Sequence, residues 1–329
     1  MTLKIKDVAE HAGVSVATVS RVLNNSDSVK PDTFQKVMAV IEEMGYKPNA
    51  IARSLKVKNT KTIGIMIPDI SSHFYPEVVR GIEDVANMYE YNVVLCNTDL
   101  KREKELKYLD VLTEKQSDGI IYMSNIITDQ LADSFQNLKI PVVLISSEYE
   151  ELPTVLIDNV AASNEMVKYL IQKGHKRIGM IAGQRNDYIA GISRVKGYYK
   201  ALEEAGIPLE ESLLVYGNYR FKSGYEGGKK LLTQENRPTA IFCASDEMAL
   251  GVIRAATELK LSMPTDLAVA GFDNIDMAEK ICPSLTTIAQ PMYEMGAVGM
   301  RLLTKILNKE TIQQSKVILN YALIEREST

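Results

Sequence analysis

The chain predicts two folds in series: a small all-α headpiece with a helix-turn-helix and a hinge helix, then an α/β body of two lobes built on two doubly wound parallel sheets. Three observations carry that expectation. Residues Ile5 to Asn24 (IKDVAEHAGVSVATVSRVLN) hold two short amphipathic stretches separated by a glycine. From Thr62 onward, short β-branched runs alternate with longer helical patterns, as strands covered on both faces by helices do. Charge is divided too: residues 1–61 carry 10 Lys/Arg against 6 Asp/Glu, and the rest 28 against 36. A basic end on an acidic body is the asymmetry of a nucleic-acid arm attached to a sensing domain.

In the first stretch Ile5, Val8, Ala9 and Ala12 fall at i, i+3, i+4 and i+7, the stripe of a helix with one buried face. Gly13 stands where a sharp turn needs positive φ, and Ser15 is a good cap for a second helix. On that helix Val19, Val22 and Leu23 point one way, while Val16, Ala17, Ser20 and Arg21 point roughly opposite. The same pattern fits an ordinary helical hairpin or a helix-turn-helix whose outer face enters the major groove. For the second, Arg21 is the base reader, since a guanidinium pairs bidentately with guanine. Val16 and Ala17 suit thymine methyls or close approach; Ser15, Thr18 and Asn24 suit phosphates. Lys4, Lys6 and Lys30 are general basic surface.

A third helix starts at Pro31, a first-turn proline, with Phe34, Val37, Met38 and Ile41 as its apolar stripe and Gly45 at its end. The turn Tyr46-Lys47-Pro48-Asn49 leads into Ala50–Lys56. That segment is too short for a stable helix by itself, isolated helices below roughly 12 residues being marginal. It is either a linker or a helix that orders only when paired with its twin on DNA.

In the body, strands are expected at 62–67, 92–96, 119–123, 142–145, 177–181, 213–216, 240–243 and 268–270. Helices are expected near 75–90, 102–115, 160–173, 192–205, 222–233, 247–259 and 292–307. Ligands of such sheets sit beyond the C-terminal strand ends, so the loop residues Asp69, Ser71, Ser72, His73, Phe74, Arg194, Ser245, Asp246 and Asp273 are candidates for a cleft. For Ser71, Asp246 and Asn274, capping the next helix competes with ligand contact.

Other classes find little support. Gly224–Lys229 imitates a phosphate loop, but Ser223 replaces its first glycine and Lys230 its Ser/Thr. Neither G-x-S-x-G nor H-E-x-x-H occurs, and the three histidines are far apart in sequence, so no enzyme, cofactor or metal is expected. Lys4, Lys6 and Asp7 interrupt any export signal, and no run reaches the roughly 18 apolar residues of a membrane span. Cys96, Cys243 and Cys282 read as reduced thiols of a cytoplasmic protein.

DVAEHAGVSVATVSRVLN with GYKPNAIARSL, followed by TIGIMIPDISSHFYPEVVRGIED, ASDEMALG, GFDN and QPMYEMGAVGMRLLTKIL, resembles the LacI/GalR family of repressors over essentially the whole chain. The last string resembles that family's catabolite control branch. The resemblance implies a body like the periplasmic sugar-binding proteins, with lobes 62–157 plus 288–318 and 158–287 plus 319–329 behind a 1–48 headpiece and a 49–61 hinge. It implies a homodimer on palindromic operator DNA, with an interface including Pro76–Met88 and Met292–Leu307. Ala52, Leu55 and Lys56 would be the DNA contacts of the hinge, Leu55 wedged into the minor groove. By that resemblance Arg194 and Asp273 match positions that hold a small effector, and with the loop candidates Ser71, His73, Phe74 and Ser245 they would bind a sugar or sugar phosphate. Arg301 and Lys305, four apart on one helix, would meet the phosphoserine of serine-phosphorylated HPr. Tyr321-Ala322 departs from the branch's His-Arg and removes one partner contact. A local sugar-operon repressor is the alternative, a solute-binding protein the distant one.

Overall fold

The computed structural model describes residues 3–23, 29–46, 60–124, 126–149 and 152–329. Asn24, Ala52, Leu55, Lys56 and nearly all of the expected hinge helix lie outside these residues. Two units are distinguished, 1–60 and 61–329.

In the first, α1 (Ile5–Ala12), α2 (Val16–Leu23) and α3 (Pro31–Met44) surround a miniature core. Val8, Ala9, Ala12, Val19, Val22, Val37 and Tyr46 fill it, with Ile5, Leu23, Phe34 and Ile41 at its margin. Gly13 turns the chain at φ 60°, and its N–H bonds back to Glu10. Ser15 Oγ accepts the Thr18 N–H at 3.1 Å, closing the first turn of α2. One expectation fails here: Met38 is exposed, because it lies at the edge of the α3 stripe, and Val40 packs on the core instead.

The second unit begins with β1 (Thr62–Ile67), α4 (Phe74–Met88), β2 (Asn92–Asn97), α5 (Arg102–Glu114), β3 (Gly119–Met123), α6 (Asp129–Asn137), β4 (Val142–Ile145) and β5 (Thr154–Ile157). It continues through α7 (Asn159–Gln172), β6 (Ile178–Ala182), α8 (Gly191–Glu204), β7 (Leu214–Tyr216), α9 (Phe221–Leu232), β8 (Ala240–Cys243), α10 (Asp246–Glu258), β9 (Ala268–Asp273) and α11 (Asp276–Lys280). The remainder is β10 (Thr286–Ala289), α12 (Met292–Leu307), β11 (Lys316–Leu319) and β12 (Ala322–Ile324). One sheet has the order β11-β5-β4-β3-β1-β2 and is parallel throughout. The other has the order β12-β10-β9-β8-β6-β7 and is mixed, since β12 runs antiparallel to β10.

Burial on both faces follows from the alternation along a strand. In β1, Ile63, Ile65 and Ile67 face α4 and α12, while Met66 faces α5 and α6. The chain passes between sheets three times. Ile288 and Ala289, expected in the first lobe, pair with Phe272 and Asp273 in the second sheet. Leu319, expected in the second lobe, pairs with Ile157 in the first. The crossings therefore follow Ile157, Ala289 and Leu319.

Small residues set the helix spacing. A Cβ on Gly296 would lie 1.9 Å from the Val78 carbonyl oxygen, and one on Gly81 2.0 Å from that of Tyr293, so α4 and α12 cross almost backbone to backbone. Gly224 and Gly251 do the same for α9 and α10, which explains the glycines of the false phosphate loop.

Candidate functional sites: the outer face of α2 and the inter-lobe cleft

Burial of Val19 and Val22 turns the opposite side of α2 outward. Ser15, Val16, Ala17 and Arg21 are exposed there, Val16 at 39%. Thr18 is half-buried and its hydroxyl lies 2.9 Å from that of Ser15, so the pair serves the helix start as well as any ligand. The face is small, polar at its beginning and carries one guanidinium, which lets a helix approach a groove floor closely.

The second site is a cleft between the two lobes, of about 210 Å³. Loops at the C-terminal ends of β1, β2, β4, β6, β7, β8, β9 and β10 build it. His73, Phe74, Arg194, Ser245 and Asp273 line it. Ser71 stands beside it, bonding Asp69 Oδ1 through both its N–H (2.9 Å) and its hydroxyl (2.8 Å).

Arg194 is the most constrained of these. Its Nε donates to Asn159 Oδ1 at 2.9 Å, its Nη1 to the Ala244 carbonyl at 2.5 Å, and its guanidinium lies 3.6 Å from the Phe272 ring centroid. Asp273 Oδ1 is 3.9 Å from Nη1 and accepts a 2.6 Å bond from Gln290. Burial pushes the Asp273 carboxyl up to about 6 and the Glu247 charge adds to the rise; Arg194 and Gln290 oppose it.

Asp246 is fully buried and turned away from the cleft. It accepts the Ile275 N–H at 2.8 Å and the Thr287 hydroxyl at 2.6 Å, tying α10 to β10. Ser245 caps α10 by accepting the Met248 N–H at 3.3 Å, and Asn274 Oδ1 accepts from Arg326 at 2.8 Å. Capping thus falls to Ser245, whose hydroxyl faces both the helix and the cleft.

Sequence reading missed Arg220, Glu247, Asp187 and Tyr219. Arg220 binds Asp69 across the cleft and lies 3.4 Å from Glu247 Oε1, while Glu247 reaches His73 Nδ1 at 3.1 Å. Asp187 accepts from Tyr219 and from the N–H groups of Ile189 and Ala190, shaping the turn before α8. Nothing local marks Arg220, since its partner Asp69 is 151 residues away.

On α12, Arg301 and Lys305 are exposed. Nearby, Tyr293 donates to Asp84 on α4 at 2.8 Å.

The description "Bacterial regulatory proteins, lacI family" matches residues 4–49, and "Periplasmic binding protein-like domain" matches residues 167–329. Catabolite control protein A of Priestia megaterium is 47% identical over 331 residues, covering 100% of both chains. The chain belongs to the LacI family. Like other members of the LacI family, it is a DNA-binding transcriptional regulator. The lac repressor dimer bound to operator and an anti-inducer superposes with a TM-score of 0.90 at 26% identity, covering 100% of this chain and 99% of that one. The transcriptional regulator CelR in complex with cellobiose gives 0.77 at 30% identity, covering 99% and 100%. Among the described residues no helix of this LacI-family chain is long and apolar enough to cross a membrane.

Proposed function

We propose that the chain is a cytoplasmic, non-catalytic regulator of carbon-source utilisation genes, mainly a repressor, acting as a homodimer on palindromic operators. The observation that carries this reading is the braced α2 with an outward Val16-Ala17-Arg21 face at the start of a two-lobed receptor body. Arg21 reads a base edge; Ser15, Thr18 and Asn24 set register on phosphates. Ala52, Leu55 and Lys56 form the hinge contact, with Leu55 entering the minor groove where two subunits meet.

The dimer surface is drawn from the first lobe. α4 and α12 use their apolar faces on each other, so their outward residues and the edge strand β2 remain. Met88 (73% exposed), Tyr89, Val94 and Leu95 make that edge unusually apolar, as a subunit interface would require. Serine-phosphorylated HPr is the proposed corepressor, its phosphate met by Arg301 and Lys305. The cleft takes a small sugar or sugar phosphate between Ser71, His73, Phe74, Arg194, Ser245 and Asp273. Each ligand acts only through its different affinity for the DNA-competent and DNA-free arrangements. A local sugar-operon repressor is the second reading, favoured by Tyr321-Ala322 and by cellobiose in the CelR complex.

A gel shift on a palindromic operator tests the proposal. Arg21→Ala should relax base preference by about 1–3 kcal/mol at one position. Leu55→Ala should weaken specific binding far more than non-specific binding. Parent-like shifts by both variants would refute the mechanism. Retention of the full chain on immobilised phospho-HPr, lost in Arg301→Ala, separates the corepressor reading from the local one.

A further inference from the structure

The segment Arg326–Thr329 is clasped into the second sheet by its own polar groups. Ser328 is fully buried: its Oγ donates to the Val269 carbonyl at 2.6 Å and accepts the Thr286 N–H at 2.8 Å. Its carbonyl accepts the Val269 N–H at 2.9 Å, and Thr329 Oγ1 lies 2.7 Å from that of Thr286. Arg326, half-buried in this clasp, gives Nη1 to the Leu285 carbonyl at 2.7 Å and Nη2 to Asn274 Oδ1 at 2.8 Å. Asn274 has φ 60° and follows Asp273 at φ 115°. Two successive L-residues persist in that half of backbone space only where their surroundings hold them.

We propose that Arg326 is a positioning residue of the cleft: by gripping Asn274 it fixes the turn after β9 and so holds the Asp273 carboxylate beside Arg194 and Gln290. This deepens the effector reading and rests on Asp273 serving the cleft. Arg326 itself does not line that space. The turn has two anchors. Asp246, from α10, accepts the Ile275 N–H at 2.8 Å and fixes one side. Arg326 fixes the other through the only side chain between Asp273 and Ile275. A guanidinium suits this task, because its planar fork meets two acceptors on separate segments in one fixed geometry, which a single ammonium does not reproduce. Without that grip the turn relaxes and the carboxylate leaves its partners. Arg194 of α8, Asp246 and Glu247 of α10 and Tyr75 of α4 also act on the Asp273 charge, and all four remain in every variant below.

Urea titrations of the full chain at about pH 4.5 and 7 read the placement of Asp273 without any ligand. The pH-dependent change in stability of the parent, minus that of Asp273→Asn, measures how strongly the fold perturbs this carboxyl. In an Arg326→Met background the same difference should fall below about half its parent value. A purely structural Arg326 would lower stability equally at both pH values and leave the difference intact, which would overturn the proposal. Asn274→Gly removes the acceptor without forcing a new backbone conformation, guards against misfolding of the Met variant, and should shrink the difference as well. Arg326→Lys should behave as Arg326→Met does; full rescue by the ammonium would overturn the two-acceptor grip. Whether Asp273 serves the cleft is measured separately, by calorimetric titration of the parent and Asp273→Asn with glucose 6-phosphate. Equal binding there would sink the effector role of Asp273 while the pH difference still judges Arg326.

Discussion

Asp273 concentrates the physics of the cleft at one residue. It ends β9 with φ at 115°, a backbone conformation rare for an L-residue, and stands close to Arg194 and Gln290. Its pKa near 6 lies above the usual carboxylate value. The native state therefore keeps a proton that the unfolded chain has released between about pH 4 and 6. Stability falls as pH rises through that window, and the cost is complete above it. In urea titrations at pH 4.5 and 7, Asp273→Asn should lose less stability than the parent over that interval, by about 2 kcal/mol. Asp246, also raised by burial, keeps part of the slope with the same sign. An unchanged slope in the variant would remove Asp273 as its source. Arg194 and Asp273 were legible as candidates in the sequence because each falls in or beside a loop after an apolar run. Arg220 was not: its significance arises only when two distant loops meet.

At the scale of elements, two kinds of glycine behave differently. Gly296→Ala places a methyl 1.9 Å from the Val78 carbonyl, so α4 and α12 must separate; a loss of about 2–3 kcal/mol is expected in urea denaturation of the body. Gly45→Ala meets no atom within 4 Å but retains φ near 60°, and should cost the headpiece about 1–2 kcal/mol through conformation alone. A reversed order would mean the helices can slide apart at little cost. Elements with strong periodicity were readable in advance, among them β1, β3, β4, β8 and α12. Six elements were not, the five-residue α11 and the four-residue β10 among them. α6 carries only Leu131, Ala132 and Phe135 as buried apolar residues, too few for a stripe. β5 is four residues long, β11 exposes Ile318 at 58%, and β12 has three residues at a sheet edge. Their pairing partners, not their own sequences, make them strands.

Over the whole molecule, charge and chain path set behaviour that no single element shows. With 10 Lys/Arg against 6 Asp/Glu before residue 62 and 28 against 36 after it, phosphate attraction is confined to one end. Operator affinity should fall roughly 10³-fold between 50 and 200 mM salt, as for a protein making several phosphate contacts, and a shallow dependence measured by fluorescence anisotropy would contradict that picture.

The three passages after Ile157, Ala289 and Leu319 have a consequence for how the protein can be divided. Neither half of the body is a continuous stretch of gene. A fragment stopping at residue 157 would lack α12 and β11, leaving the Ile63-Ile65-Ile67 side of its sheet covered by α4 alone and the outer rim of β5 open. Such a fragment should aggregate on expression, and shuffling receptor halves between relatives must exchange two separate segments at once.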